Sequence, residues 1–131
     1  MNWKKKVKEN NLIREHINIL NGLIGLPPRQ LDVLAVLMDI DQNWKPKTAT
    51  DYKNILSTDT RKSIMEKTMI NKNNLSKYLS DIKKRNLIIA TEQGGYEVIP
   101  SIFPTLYTDK NGNEVAEINF ILEIEEDSSM I

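Results

Sequence analysis

The sequence predicts a mostly helical α+β fold with small β-hairpins at its C-terminal side. Three observations carry this. Apolar residues recur at helical spacing over residues 11–41 and again over 64–82. After Leu87 the period shortens to two. Two turn signals, "EQGG" and the Asn111-Gly112 pair of "DKNGNE", then break the chain into hairpins.

Taken in order, "NLIREHINILNGLI" places Ile13, Ile17, Leu20 and Ile24 on one helical stripe, and Gly25 closes it. Its core "INIL" also fits a short strand. Pro27 and Pro28 suit the first turn of a new helix. That helix, "PRQLDVLAVLMDID", is apolar on nearly every side through Leu31, Val33, Leu34, Val36, Leu37, Met38 and Ile40, so it predicts a central element buried from several directions. A polar loop with Pro46 follows. Ile55 and Leu56 predict a short strand. Ser57 or Thr58 is an N-cap with Asp59 beside the helix dipole, and Ile64, Met65 and Thr68 give the short helix its apolar edge. Asn71 caps the next helix, whose buried stripe is Leu75, Tyr78, Leu79 and Ile82. Asn86 stands where that helix needs a left-handed terminator. Leu87–Ala90 and Tyr96–Ile99 predict one hairpin. "TLYT" leads into a second, whose returning strand alternates Ala116, Ile118, Phe120, Leu122 and Ile124 with mostly polar residues, one face buried and one mostly wet. Leu34, Leu37, Ile64, Leu75, Leu79, Ile82 and Leu87 are expected to share one interior.

The 131 residues suffice for one domain with a real core. No apolar run reaches the ~18 residues that read as a membrane span, so no membrane partner is expected. The basic start "MNWKKKVKENNLI" lacks the apolar run of a signal peptide. The absence of cysteine excludes disulfides and thiolate metal sites. These features point to an intracellular protein, or one made inside a cell and assembled into something there.

The formal net charge is zero, but its distribution is uneven. Residues 58–89 hold Arg61, Lys62, Lys67, Lys72, Lys77, Lys83, Lys84 and Arg85 against Asp59, Glu66 and Asp81, eight bases to three acids. Residues 114–131 hold six acids and no base.

Catalytic signatures are missing. His16 is the one histidine, lies beside Glu15 and has no nucleophile near it in sequence, so a surface or partly buried side chain is expected. A lone histidine without cysteine is a poor start for a zinc site. "EIEED" lacks the spacing of a calcium loop, and neither glycine turn sits between a strand and a helix as a phosphate loop must. No enzymatic activity, metal or cofactor is expected.

The order helix, short strand, helix, tight turn, helix, hairpin is that of a winged helix-turn-helix. "LPPRQLDVLAVL" resembles the opening helix of MarR-like winged helices. "NKNNLSKYLSDIKKRNLIIA" resembles their recognition helix and first wing strand, with Asn73-Asn74, Leu75, Ser76-Lys77, Tyr78-Leu79, the charged run Lys83-Lys84-Arg85 and Asn86-Leu87-Ile88 in the matching places. Asn86 replaces the family's glycine. The resemblance covers residues 27–99, so residues 1–26 are an added basic arm and helix, 27–100 the winged-helix domain, and 101–131 an added hairpin and acidic tail. The wing "ATEQGGYEV" departs from the pattern in carrying no lysine or arginine. The arrangement is similar to that of small bacteriophage-encoded winged-helix proteins, which implies a cytoplasmic place in a bacterial host cell, with a place in a virion as the alternative.

The resemblance implies binding of double-stranded DNA, in transcription or replication control. Asn73, Asn74, Ser76 and Lys77 would read bases in the major groove, the amides matching adenine. Arg61, Lys62, Lys72, Lys83, Lys84 and Arg85 would hold phosphates. The run Lys83–Arg85 suits the negative end of a helix dipole equally well. A structural role in virion assembly, with the winged helix as a protein-interaction module in a neck or tail ring, is the competing expectation. Ile13, Ile17, Leu20, Ile24, Ile118 and Phe120 are the expected contacts of a homo-oligomer or larger assembly. The basic "WKKKVK" of one copy would face the acidic "EIEED" of the next.

Overall fold

The computed structural model describes residues 4–118 and 121–126. Four helices come first: α1 (Leu12–Ile24), α2 (Pro28–Asn43), α3 (Thr58–Thr68) and α4 (Lys72–Lys84). Two separate antiparallel hairpins follow, β1 (Ile88–Ala90) with β2 (Tyr96–Val98), and β3 (Thr105–Thr108) with β4 (Glu114–Glu117). Ile88 faces Val98 across the first, and Thr105 faces Glu117 across the second. One-turn 3-10 segments, Glu9–Asn11 and Pro100–Ile102, precede α1 and join the hairpins. The chain is therefore α+β, as expected.

The helix ends follow local chemistry. Gly25, at φ 73°, closes α1 in the left-handed conformation that glycine adopts without steric cost. Ser57 Oγ accepts the Thr60 N–H at 3.3 Å and starts α3. Asn71 Oδ1 accepts the Asn74 N–H at 2.8 Å and starts α4. Asn86 takes φ 61° after α4, as its position in the sequence requires.

Helix α2 is the centre of the core. Val33, Leu34, Leu37 and Met38 are fully buried on it, and α1, α3 and α4 all pack around it. Ile64, Leu75, Leu79 and Ile82 join it. Leu87 packs against it from the rim, half-buried, while the next residue, Ile88, is turned fully inward. The left-handed turn at Asn86 sets that phase, since alternate strand residues face opposite sides.

The stripe on α1 was expected to meet another chain. Instead Ile17 is fully buried inside its own chain, and Ile13, Leu20 and Ile24 pack against the same core. The all-round apolar α2 needs cover on this side, and α1 supplies it. His16 is buried too, at 4 % exposure, and its Nε2 donates to the Ile102 carbonyl at 2.5 Å. This bond ties the first helix to the segment after β2.

Ile55 and Leu56 form a turn rather than a strand. The approach to the first hairpin is nevertheless strand-like: the Ile55 N–H donates to the Tyr96 carbonyl at 3.0 Å. Gly95 makes room for it, since a Cβ there would lie 2.1 Å from the Lys53 carbonyl oxygen. Asp41, buried at the end of α2, fastens the same junction. It accepts Lys53 Nζ at 2.9 Å and the Val98 N–H at 2.8 Å. Between α2 and this junction, Asp51 gathers the Lys47 and Thr48 N–H groups and the Thr48 hydroxyl, which hold its carboxyl below the ordinary range.

The second hairpin departs most from expectation. All four residues of β3 are exposed, with Leu106 at 55 % and Tyr107 at 46 %. Strand β4 stops at Glu117, so the longer strand expected through Ile124 does not form among the described residues. Ile118 is half-buried just beyond it, and Phe120 lies outside the described residues. Ile121, Leu122 and Ile124 stand 79–96 % exposed. Alternation alone predicts a buried face, but among the described residues no layer lies under it.

Candidate nucleic-acid interface

The α3–turn–α4 unit is built from several independent fastenings. Arg61 Nε donates to the Leu56 carbonyl at 3.0 Å, tying α3 to the preceding turn. Thr68 Oγ1 donates back to the Ile64 carbonyl at 2.7 Å, and Arg29 at the start of α2 donates to the Thr68 carbonyl at 2.6 Å. Met69 turns the chain at φ 60°, a left-handed position unusual for a side chain of its size, and stays 85 % exposed. Ile70 is buried next to it, which pins the turn to the core. Two residues on, Asn71 opens α4.

Leu75, Leu79 and Ile82 bury one side of α4. Asn73, Lys77, Ser80 and Lys84 run along the other at spacings of four, three and four, and all are exposed. Lys72, Asn74 and Ser76 flank this stripe and are exposed as well. The structure thus brings Asn73, Asn74, Ser76 and Lys77 together on the first two turns of one free helix face. Lys62, Lys72, Lys77 and Lys84 have no ion-pair partner among the described residues.

Arg61, Lys83 and Arg85 have internal work instead. Besides Arg61, Arg85 Nη1 donates to the Ile24 carbonyl at 2.6 Å, closing the negative end of α1. Lys83 Nζ sits 4.4 Å from the Tyr96 ring centroid and donates to its hydroxyl at 3.1 Å, so it packs on the first hairpin. Gln30 Nε2 donates to Asp81 Oδ2 at 3.0 Å, which seats α4 against α2 from below. The loop between β1 and β2 presents Glu92 and no cation. Sequence reasoning passed over Met69, for which the only signal was its place two residues before a cap.

Two open surface grooves, of about 290 and 140 Å³, lie beside the second hairpin and away from α4. Asp41, Trp44, Lys53, Phe103 and Leu106 line the larger. His16, Thr105, Glu117 and Ile118 are among those lining the smaller. Among the described residues no cluster of three metal-ligating side chains occurs, and no helix is long and apolar enough to cross a membrane. Comparison of the chain with protein-family models, curated proteins and solved structures found no match.

Proposed function

We propose that the chain is a non-enzymatic winged-helix protein of the MarR-like kind that binds duplex DNA through α4 and takes no cofactor. One observation carries the reading: α4 buries a single apolar side and leaves amides, a hydroxyl and unpaired lysines together on the face opposite. Asparagine amides match the donor–acceptor edge of adenine in the major groove. Lys62, Lys72, Lys77 and Lys84 supply the phosphate contacts that set register. The order α2, α3, turn, α4, β1–β2, with Ile55 bonded beside β2, supports the winged-helix assignment. Arg61, Lys83 and Arg85 contribute through the scaffold rather than through phosphate.

Fluorescence anisotropy with mixed-sequence duplexes across a salt series tests this. Four phosphate contacts give a log–log salt slope of about −3 to −4. Lys72→Ala and Lys77→Ala each reduce that slope by about one, uniformly across sequences. Asn74→Ala instead relaxes sequence preference, by roughly 1–3 kcal/mol for each base pair it no longer reads. No binding of any duplex at low salt sinks the reading. A role as an assembly component, such as a virion subunit, is the second reading, favoured by the exposed apolar residues of the β3–β4 hairpin and of residues 121–126.

A further inference from the structure

Residues 105–118 and 121–126 carry large apolar side chains with no seat among the described residues. Residues Leu106, Tyr107, Ile121, Leu122 and Ile124 are all large, apolar and 46–96 % exposed. A lone two-stranded hairpin is marginal in water, so such an arm is stabilised by something that covers it. Its charge says what kind of surface that is. Glu114, Glu117, Glu123, Glu125 and Glu126 lie along it, and after Lys110 no base relieves them up to residue 126. Ile124 stands between two glutamates, an apolar knob in an acidic frame. The complementary surface is an apolar residue framed by bases.

This chain carries such a surface at the α3–α4 turn. Met69 is 85 % exposed with Lys67 and Lys72 on either side in sequence, both exposed and neither in an ion pair among the described residues. Nothing in the fold calls for methionine there, because φ 60° suits glycine or asparagine better. The arm does not lie on this turn in its own chain, since Leu106, Tyr107, Ile121, Leu122 and Ile124 are left in solvent. We propose that the acidic arm of one copy docks on the Lys67–Met69–Lys72 turn of a second copy. The two surfaces differ and sit on one chain, so the contact either repeats head to tail into a ring or open string or is made twice, reciprocally, in a closed two-fold dimer. Ion pairs at such a surface are individually weak and screened by salt, and Ile121, Leu122 and Ile124 supply the remainder. The contact stands whether or not α4 binds DNA, and it covers the start of α4 when made.

The absence of native cysteine makes the test clean. Two full-length variants, Ile124→Cys and Met69→Cys, are mixed and mildly oxidised. The expected result is a disulfide-linked species of two chains, one of each variant, several-fold more abundant than the homodimers either variant forms alone. It fades at ~1 M salt, where the Debye length is about 3 Å. In parallel, light scattering should show self-association of the native chain, abolished in the triple variant Glu123→Lys, Glu125→Lys, Glu126→Lys. At a dilution where the native chain is monomeric, that variant's unfolding midpoint should not move, because the three side chains are exposed. Equal cross-linking in mixed and unmixed samples overturns the proposal. So does a double-cysteine chain that closes on itself as a monomer, which would place the arm on its own turn.

Discussion

At the scale of single residues, buried polar groups define this molecule as much as its aliphatic ones. Asp41 is 7 % exposed and holds three parts of the chain: α2, the incoming loop through Lys53, and strand β2 through the Val98 N–H. Removing it strands a donor in the interior and frees a lysine that is itself only 25 % exposed at its side chain. Asp41→Ala should cost stability at the lower end of the ~3–5 kcal/mol seen for broken buried pairs, because Lys53 can partly reach water. Asp41→Asn keeps an acceptor for Val98 and should lose less than half as much. Urea titration of both variants decides it, and equal losses would show that the charge, not the bond to Val98, matters. This role was not legible in the sequence, where Asp41 reads as one more polar residue at a helix end. The asparagines and lysines of α4 were legible, because a helix with one apolar stripe fixes which side chains face out. The internal duties of Arg61, Lys83 and Arg85 were not, since each depends on a partner remote in fold or off its own helix.

At the scale of elements, helical periodicity and caps located all four helices to within two residues, because those signals are local. The β elements were read less well for the opposite reason. A strand exists only with a neighbour, so the Ile55–Leu56 segment and the stretch after Glu117, both plausible by pattern, fall short for want of a ladder. The Ile55 segment is a special case. It reaches β2 with one hydrogen bond and passes so close that Gly95 has no room for a side chain. Gly95→Ala should therefore push the Lys53 backbone away, breaking both the Ile55–Tyr96 bond and the Asp41–Lys53 pair that depends on the same approach. A destabilisation of about 1–3 kcal/mol is expected, the usual result of overpacking. Amide exchange should report it first at Ile55 and Val98, with the helical amides of α4 following only as global stability falls. An unchanged exchange rate at Ile55 would mean the loop can step aside freely.

At the scale of the whole molecule, the core does not respect the boundary that family resemblance suggests. A unit of residues 27–100 would contain α2, α3, α4 and the first hairpin but would omit Ile17, which is fully buried, and Ile102, which is 6 % exposed. It would also break the His16–Ile102 bond that closes α1 against the chain's return. The energetic consequence can be sized. Fully burying a large aliphatic side chain is worth ~1.5–3 kcal/mol. Ile13, Ile17, Leu20 and Ile24 together, three of them only partly buried, amount to roughly 4–8 kcal/mol. The whole stability of a domain this size is ~5–15 kcal/mol. Excising α1 therefore removes a large share of the total and uncovers one side of α2, which is apolar nearly all round. A fragment of residues 27–100 should show no cooperative urea transition, whereas residues 4–104 should unfold in one step with circular dichroism and Trp44 fluorescence coincident. The fragment ending at 104 omits the exposed hairpin, and its midpoint should match that of the full chain at a dilution where the full chain is monomeric. If residues 27–100 unfold cooperatively with undiminished stability, α1 is an appendage after all, and its apolar stripe is again available to a second copy.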